Sequence, residues 1–305
     1  MGKLLSRCSG RPRIAATSVV NLGEPPTGRH GSVKTSECRQ DARVESSPRI
    51  PPAALVGMED WHASLAWSLV PERLTWRLTA PSGETRYLKL YNFDQELSLA
   101  AERDRLAWAE TRLPVPRMLE YGFDDRHEWL VTAGMEGVSA IDPNWRDDPP
   151  RLVPRLAEGL RRLHLLPIDD CPFDSRLSIA LPLARQRLTA GQVDLTRDVH
   201  RDHGELTIET ALARLDRLRP LREDPVVCHG DYCLPNVLLS EGTVSAYLDL
   251  GKLGVADRWW DLAIATWSVT WNLGPGWEDL FLEAYGVPRD PERIAFYRLL
   301  YDVLP

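Results

Sequence analysis

The stretch Val226–Leu239, "VVCHGDYCLPNVLL", restricts what this chain can fold into more than any other. Two apolar runs, each short enough for a buried strand, flank a polar loop that holds His229, Gly230, Asp231 and Asn236. Thirteen residues after Asn236, the alternating strand "VSAYLDL" reaches Asp249, just before Gly251. Cys228, His229 and Cys233 invite a zinc reading. Their C-x4-C spacing lacks a second ligand pair, whereas structural zinc takes four ligands at tighter spacings. Both cysteines adjoin apolar residues without a base and orienter, so a thiol nucleophile is also disfavoured.

The oxygen-bearing groups fit better. Asp231, Asn236 and Asp249 are hard donors of the kind that magnesium takes. An H-G-D-x-x-x-x-N loop followed by a strand-terminal D-x-G is the spacing of a kinase catalytic loop and metal loop. There the first Asp accepts the proton of a substrate hydroxyl, and the Asn and second Asp hold magnesium against nucleotide phosphates. Any one of the three could be an ordinary loop cap or turn residue; all three at this spacing point to phosphoryl transfer. Gly230 and Gly251 are the expected sites of permissive backbone turns. A kinase also needs a cation on the phosphates. Lys89, in the strand "YLKL", and Glu102, on the following helix, could form the strand-to-helix ion pair that steadies it.

The surrounding pattern gives an α+β chain with a small strand-rich lobe and a larger, mainly helical one. Residues 1–57 are rich in Ser, Pro, Gly and Arg and lack periodicity, so they read as a disordered extension or a mis-assigned upstream start, with Met58 an alternative beginning. Residues 58–134 form the expected N-terminal lobe. Leu74–Tyr91 reads as a hairpin turning at Pro81-Ser82-Gly83, Asp94–Leu113 as a helix ended by Pro114 and Pro116, and "RMLEYGF" and "HEWLVTAG" as two strands. Residues 135–305 form the second lobe. Leu152, Leu156, Leu160 and Leu163 make one helical stripe, with His164 at its end as a cap or core residue. Further helices are expected over Leu206–Leu218, Ala256–Trp271, Trp277–Tyr285 and Pro291–Leu304.

These motifs resemble the aminoglycoside phosphotransferase family, antibiotic kinases with a two-lobed protein-kinase-like fold. The similarity runs from about Trp61 to the end. It includes "YLDLGKLGVADRWWDLAIA", "RRLHLLPIDDCPFD" and "RIAFYRLLYD", and is closest to the branch that phosphorylates the 3′-hydroxyl of kanamycin and neomycin. The resemblance implies an enzyme that uses ATP or GTP and magnesium to phosphorylate an aminoglycoside hydroxyl and confer antibiotic resistance. It implies Asp231 as catalytic base, Asn236 and Asp249 as magnesium ligands, and Lys89 on the α- and β-phosphates beside Glu102. It further implies Ala133–Met135 as the hinge that meets adenine, and Asp302, Trp271 and Arg258 on the substrate side. The chain departs from the family in three places. "WSLVPERLTWRL" has no glycine where a nucleotide-covering loop is usual, Trp271 stands where an acid is usual, and Lys252 replaces the Arg after Gly251. The departures keep two alternatives open: a kinase of another small amino alcohol, and a nucleotide-binding pseudoenzyme.

Charge placement agrees with a cationic substrate. Residues 1–57 carry nine Lys and Arg against four Asp and Glu, a surplus of five; the whole chain carries −7, so the remainder carries −12. An acidic body repels nucleic acid and attracts cations. Five irregularly spaced cysteines and no apolar run of membrane length suggest a cytoplasmic protein without a disulfide framework or membrane span, and a monomer or weak dimer is expected.

Overall fold

The computed structural model describes residues 50–70, 73–92 and 98–305. The N-terminal lobe is an antiparallel sheet of β1 (His62–Val70), β2 (Arg73–Thr79), β3 (Thr85–Asn92), β4 (Met118–Phe123) and β5 (His127–Ala133), in the order β1-β2-β3-β5-β4, with one helix, α1 (Leu99–Ala109). The second lobe holds β6 (Val138–Ser139), α2 (Pro143–Arg146), α3 (Pro149–Leu163), α4 (Leu177–Thr189) and α5 (Ile208–Leu218). It continues through β7 (Pro225–Cys228), β8 (Val237–Ser240), β9 (Thr243–Tyr247), β10 (Gly254–Asp257), α6 (Trp259–Leu273), α7 (Glu278–Tyr285) and α8 (Pro291–Val303). This is the α+β, two-lobed arrangement expected from the sequence.

The period of two along β3 decides where its chemistry goes. Leu88 and Leu90 pack with Leu78, Trp129 and Val131 in a small core on one face of the sheet. Lys89, between them, reaches Glu102 of α1 on the other face. The start of α1 is fixed by a buried carboxylate. Glu128 of β5 accepts the N–H groups of Leu99 (2.8 Å) and Ala100 (3.2 Å) and the Ser98 hydroxyl (2.7 Å), so a negative charge sits at the helix's positive end. Helix α1 is thereby anchored with Glu102 one turn from its N-terminus. In the second lobe the α3 stripe Leu152, Leu156, Leu160 and Leu163 is fully buried in one large core with α6 and α8.

Several elements differ from expectation. Strand β1 was not resolved as a separate strand in the sequence, because two register shifts, between Leu65 and Trp67 and between Ser68 and Val70, break its alternation. Helix α4 carries Pro182 in its interior and was missed. The expected helix from Ala256 begins at Trp259, because Gly254–Asp257 pair with β7 as a strand. Of the N-terminal segment 1–57, residues 1–49 lie outside the described residues. Pro52–Leu55 form a short 3-10 helix that buries Ala54 against the small core. In the glycine-poor connection, Val70 pairs with Arg73, so two residues, Pro71 and Glu72, separate β1 from β2; both lie outside the described residues.

Candidate active site

The loop after β7 is held from behind by one fully buried carboxylate. Asp261, in the first turn of α6, accepts the N–H of His229 at 2.6 Å and of Gly230 at 2.8 Å. His164 Nε2 lies 3.0 Å from the same Oδ2, and His164 Nδ1 lies 2.7 Å from Tyr285 Oη. Trp260 Nε1 donates to Gly230 O at 3.1 Å. Helix α6 therefore locks the loop's backbone, with His164, just past the end of α3, set against its Asp261. Gly230 has φ +83°, and a Cβ there would lie 2.2 Å from Lys252 O, so only glycine fits. Gly251 carries no such demand: its Cβ would meet Glu102 Cβ at an ordinary 3.8 Å. Asp249 itself takes the left-handed conformation, φ 59° and ψ 55°, an unusual position for a residue with a side chain.

His164, Cys228 and Asp261 lie close enough to suggest a metal cluster. Both Asp261 oxygens already accept backbone N–H groups, and burial pushes the Cys228 thiol well up, so it stays protonated. The cluster serves the loop's position. Cys233 is likewise pushed up by burial, and both cysteines are packing residues.

From this frame project two linked sets of side chains. In the first, Lys89 Nζ donates to both oxygens of Glu102, at 2.6 and 2.7 Å, and also contacts Asp249. Burial alone would lower the Lys89 pKa, but the Asp249 and Glu102 charges outweigh it and raise it, so the ammonium is held charged. Burial raises the Glu102 carboxyl, with Lys89 opposing it. In the second set, Asn236 Nδ2 donates to Asp231 O (3.1 Å) and Oδ2 (3.3 Å), and Tyr301 Oη donates to Asp231 Oδ1 at 2.9 Å. Burial first, then the Asp231 charge, pushes the Tyr301 phenol well up, which keeps that proton in place.

The donor set fits magnesium. Asn236 spends its amide N–H on Asp231, which leaves its carbonyl oxygen as a hard acceptor, and the Asp249 side chain is 45% exposed. Asp249 now meets a cation in Lys89, as a carboxylate in a metal loop would. At the hinge, Ala133 N–H is taken by Arg117 O and Gly134 N–H by Thr85 O, both at 2.9 Å. Ala133 could therefore offer adenine only its carbonyl, while Met135 lies two residues on, past the end of the sheet.

The substrate-side residues separate. Trp271 is 41% exposed and forms a wall with Trp267 (centroids 4.6 Å apart) and His200 (4.8 Å). Asp302 does not face a ligand. Its side chain is 1% exposed, accepts His200 N–H at 2.7 Å and lies 3.4 Å from His203 Nε2, so it anchors the turn beneath the wall. Arg258 is also not part of the set. It donates through Nη2 to Asp224 at 3.0 Å, with Nε at ion-pair distance (2.7 Å), at the start of α6, and lines a separate cavity with Trp259 and residues 287–293. Sequence reasoning missed Tyr301, adjacent to Asp302, and missed Asp261, although its "WWD" lay inside a motif already singled out.

Residues 72–297 match the family model described as phosphotransferase enzyme family. An aminoglycoside 3′-phosphotransferase of Streptomyces fradiae is 44% identical over 210 residues, covering 66% of this chain and 78% of the relative. Among solved structures, aminoglycoside-3′-phosphotransferase of type VIII superposes with TM-score 0.72 at 32% identity, covering 83% of this chain and 98% of that one. Aminoglycoside phosphotransferase APH(3″)-Id of Streptomyces rimosus, in complex with ADP and streptomycin, superposes with TM-score 0.66 at 29% identity, covering 82% and 95%.

Proposed function

The chain belongs to the phosphotransferase enzyme family, and from that membership we propose that it transfers the γ-phosphoryl group of a nucleoside triphosphate to a hydroxyl of an aminoglycoside, the 3′-hydroxyl first. The observation that carries the reading is the pair of linked sets: Lys89 bound by Glu102 and Asp249, and Asp231 bound by Asn236. The first set supports the reading by holding a charged ammonium that would meet nucleotide phosphates. The second leaves a carboxylate to hold and deprotonate an alcohol.

In this mechanism Asp231 orients the acceptor hydroxyl and takes its proton as the O–P bond forms. Lys89 contacts the α- and β-phosphates and Glu102 keeps it from swinging away. Asn236 and Asp249 would hold magnesium, which when bound neutralises phosphate charge. The Ala133 carbonyl and Met135 N–H would meet adenine. Asp261 contributes pre-organisation: with the loop backbone fixed, Asp231 needs no reordering when the acceptor arrives. Trp271 offers a stacking face to a sugar ring. The −12 of residues 58–305 attracts polycations at long range.

The formed Lys89–Glu102 pair and the complete Asp231, Asn236 and Asp249 set favour turnover over mere nucleotide binding. The test is mass spectrometry of kanamycin, neomycin and streptomycin after incubation with the protein, magnesium and ATP or GTP. A single added phosphoryl group is expected. Unmodified drugs in every arm would overturn the reading.

A further inference from the structure

Tyr301 Oη lies against Asp231, the carboxylate assigned above to an acceptor hydroxyl. It is a hydroxyl, and it donates to Asp231 Oδ1 at 2.9 Å. Hydrogen-bond reach to the base is the geometric requirement for an acceptor hydroxyl. Asn236 engages the other carboxylate oxygen, Oδ2, at 3.3 Å. The contact belongs to an ordered part of the fold. Tyr301 lies on α8, its neighbour Asp302 is buried against His200, and Lys252 Nζ lies 4.3 Å from the Tyr301 ring centroid. The residue is also partly exposed.

We propose that Tyr301 is itself a phosphoryl acceptor: with nucleotide bound and no aminoglycoside present, the chain phosphorylates its own Tyr301 within one molecule. The proposal rests on the role given to Asp231 in the preceding section. A lone pair of Tyr301 Oη forms the new O–P bond to the γ-phosphorus. The bond from that phosphorus to the bridging oxygen breaks, and its electron pair leaves with the nucleoside diphosphate. The Oη proton passes to Asp231 Oδ1 and from there to solvent. The product carries a charge of about −1.5 to −2 beside Asp231 and fills the acceptor position. Modification therefore stops at one phosphoryl group per chain and blocks drug turnover, and a bound aminoglycoside, which takes the same position, protects Tyr301.

The experiment uses the full chain with magnesium-ATP and no drug, followed by peptide tandem mass spectrometry. Phosphate is expected on Tyr301, at a rate per chain that does not change with protein concentration and falls when kanamycin is added. Tyr301→Phe and Asp231→Asn should both abolish it, with thermal melts of each variant confirming the fold. A parallel arm measures kanamycin phosphorylation by the same preparation. Phosphorylated kanamycin with unmodified Tyr301 would overturn this proposal and leave the kinase reading standing. Unmodified kanamycin together with unmodified Tyr301 would overturn both. Phosphate only on other residues, ADP released with no phosphate on protein, or a rate that climbs with protein concentration would each overturn it as well.

Discussion

Asp261 accepts the backbone N–H groups of His229 and Gly230 at 2.6 and 2.8 Å, so the residue that fixes this loop lies 30 positions after Asp231. Both bonds are charge-assisted and fully buried, the conditions under which a hydrogen bond contributes most. Removing the charge while keeping the shape, as in Asp261→Asn, turns one accepting oxygen into a donor facing an N–H. We expect a loss of about 3 kcal/mol in unfolding free energy, read from the denaturant midpoint, with drug turnover lowered as well. An unchanged midpoint would mean that the loop is held by something other than this carboxylate.

Lys89 should be insensitive to pH through the neutral and mildly alkaline range. Its folded pKa is raised because the Asp249 and Glu102 charges outweigh the burial that would lower it. A raised folded pKa gives stability that is fully present below the ordinary Lys value of 10.5 and is lost only as pH rises through the higher folded value. The pH profile of kcat/KM should therefore show no Lys89 limb below that value. Lys89→Met should lower kcat/KM by roughly 100- to 1,000-fold, since it removes a fixed charge at the phosphates.

Trp271 is exposed, so its loss should act on substrate and not on the fold. Trp271→Ala is expected to change thermal stability little and to raise the drug KM about tenfold, the worth of one stacking face. A lower melting temperature with an unchanged KM would place the side chain in packing instead.

Asp302 should behave in the opposite way. Its buried carboxylate accepts His200 N–H, so Asp302→Ala leaves a donor unpaired and should cost about 1–3 kcal/mol. The KM effect should follow only from the loosened His200–Trp271 wall. Equilibrium unfolding separates the two variants.

The contrast between these residues shows what the sequence could reveal. Asp231, Asn236, Asp249, Lys89 and Glu102 were legible because loop spacing and strand-to-helix order carry them. The Leu152, Leu156, Leu160 and Leu163 stripe was legible because its period is that of a helix. Position on a helix face was not. An acidic residue near the end of α8 suggested a drug contact, but a step of one residue turns a side chain about 100° around the helix axis. That step separates Tyr301, which faces Asp231, from Asp302, which faces the interior. Strand β1 was hidden by its bulges, and Asp261 by bonding backbone N–H groups about 30 residues away that no local pattern announces. Arg258 was misplaced because its partner, Asp224, is distant in the chain and nothing local announces the ion pair between them.

The central claim is that Asp231 holds and deprotonates the acceptor hydroxyl. Single-turnover phosphorylation of kanamycin by Asp231→Asn, beside the unmodified chain at saturating magnesium-ATP, tests it most directly. The amide keeps the size and the hydrogen bond to Tyr301 but cannot take a proton. The account predicts a rate lower by about 100- to 10,000-fold with nucleotide affinity nearly unchanged. Equal rates for the two proteins would contradict it.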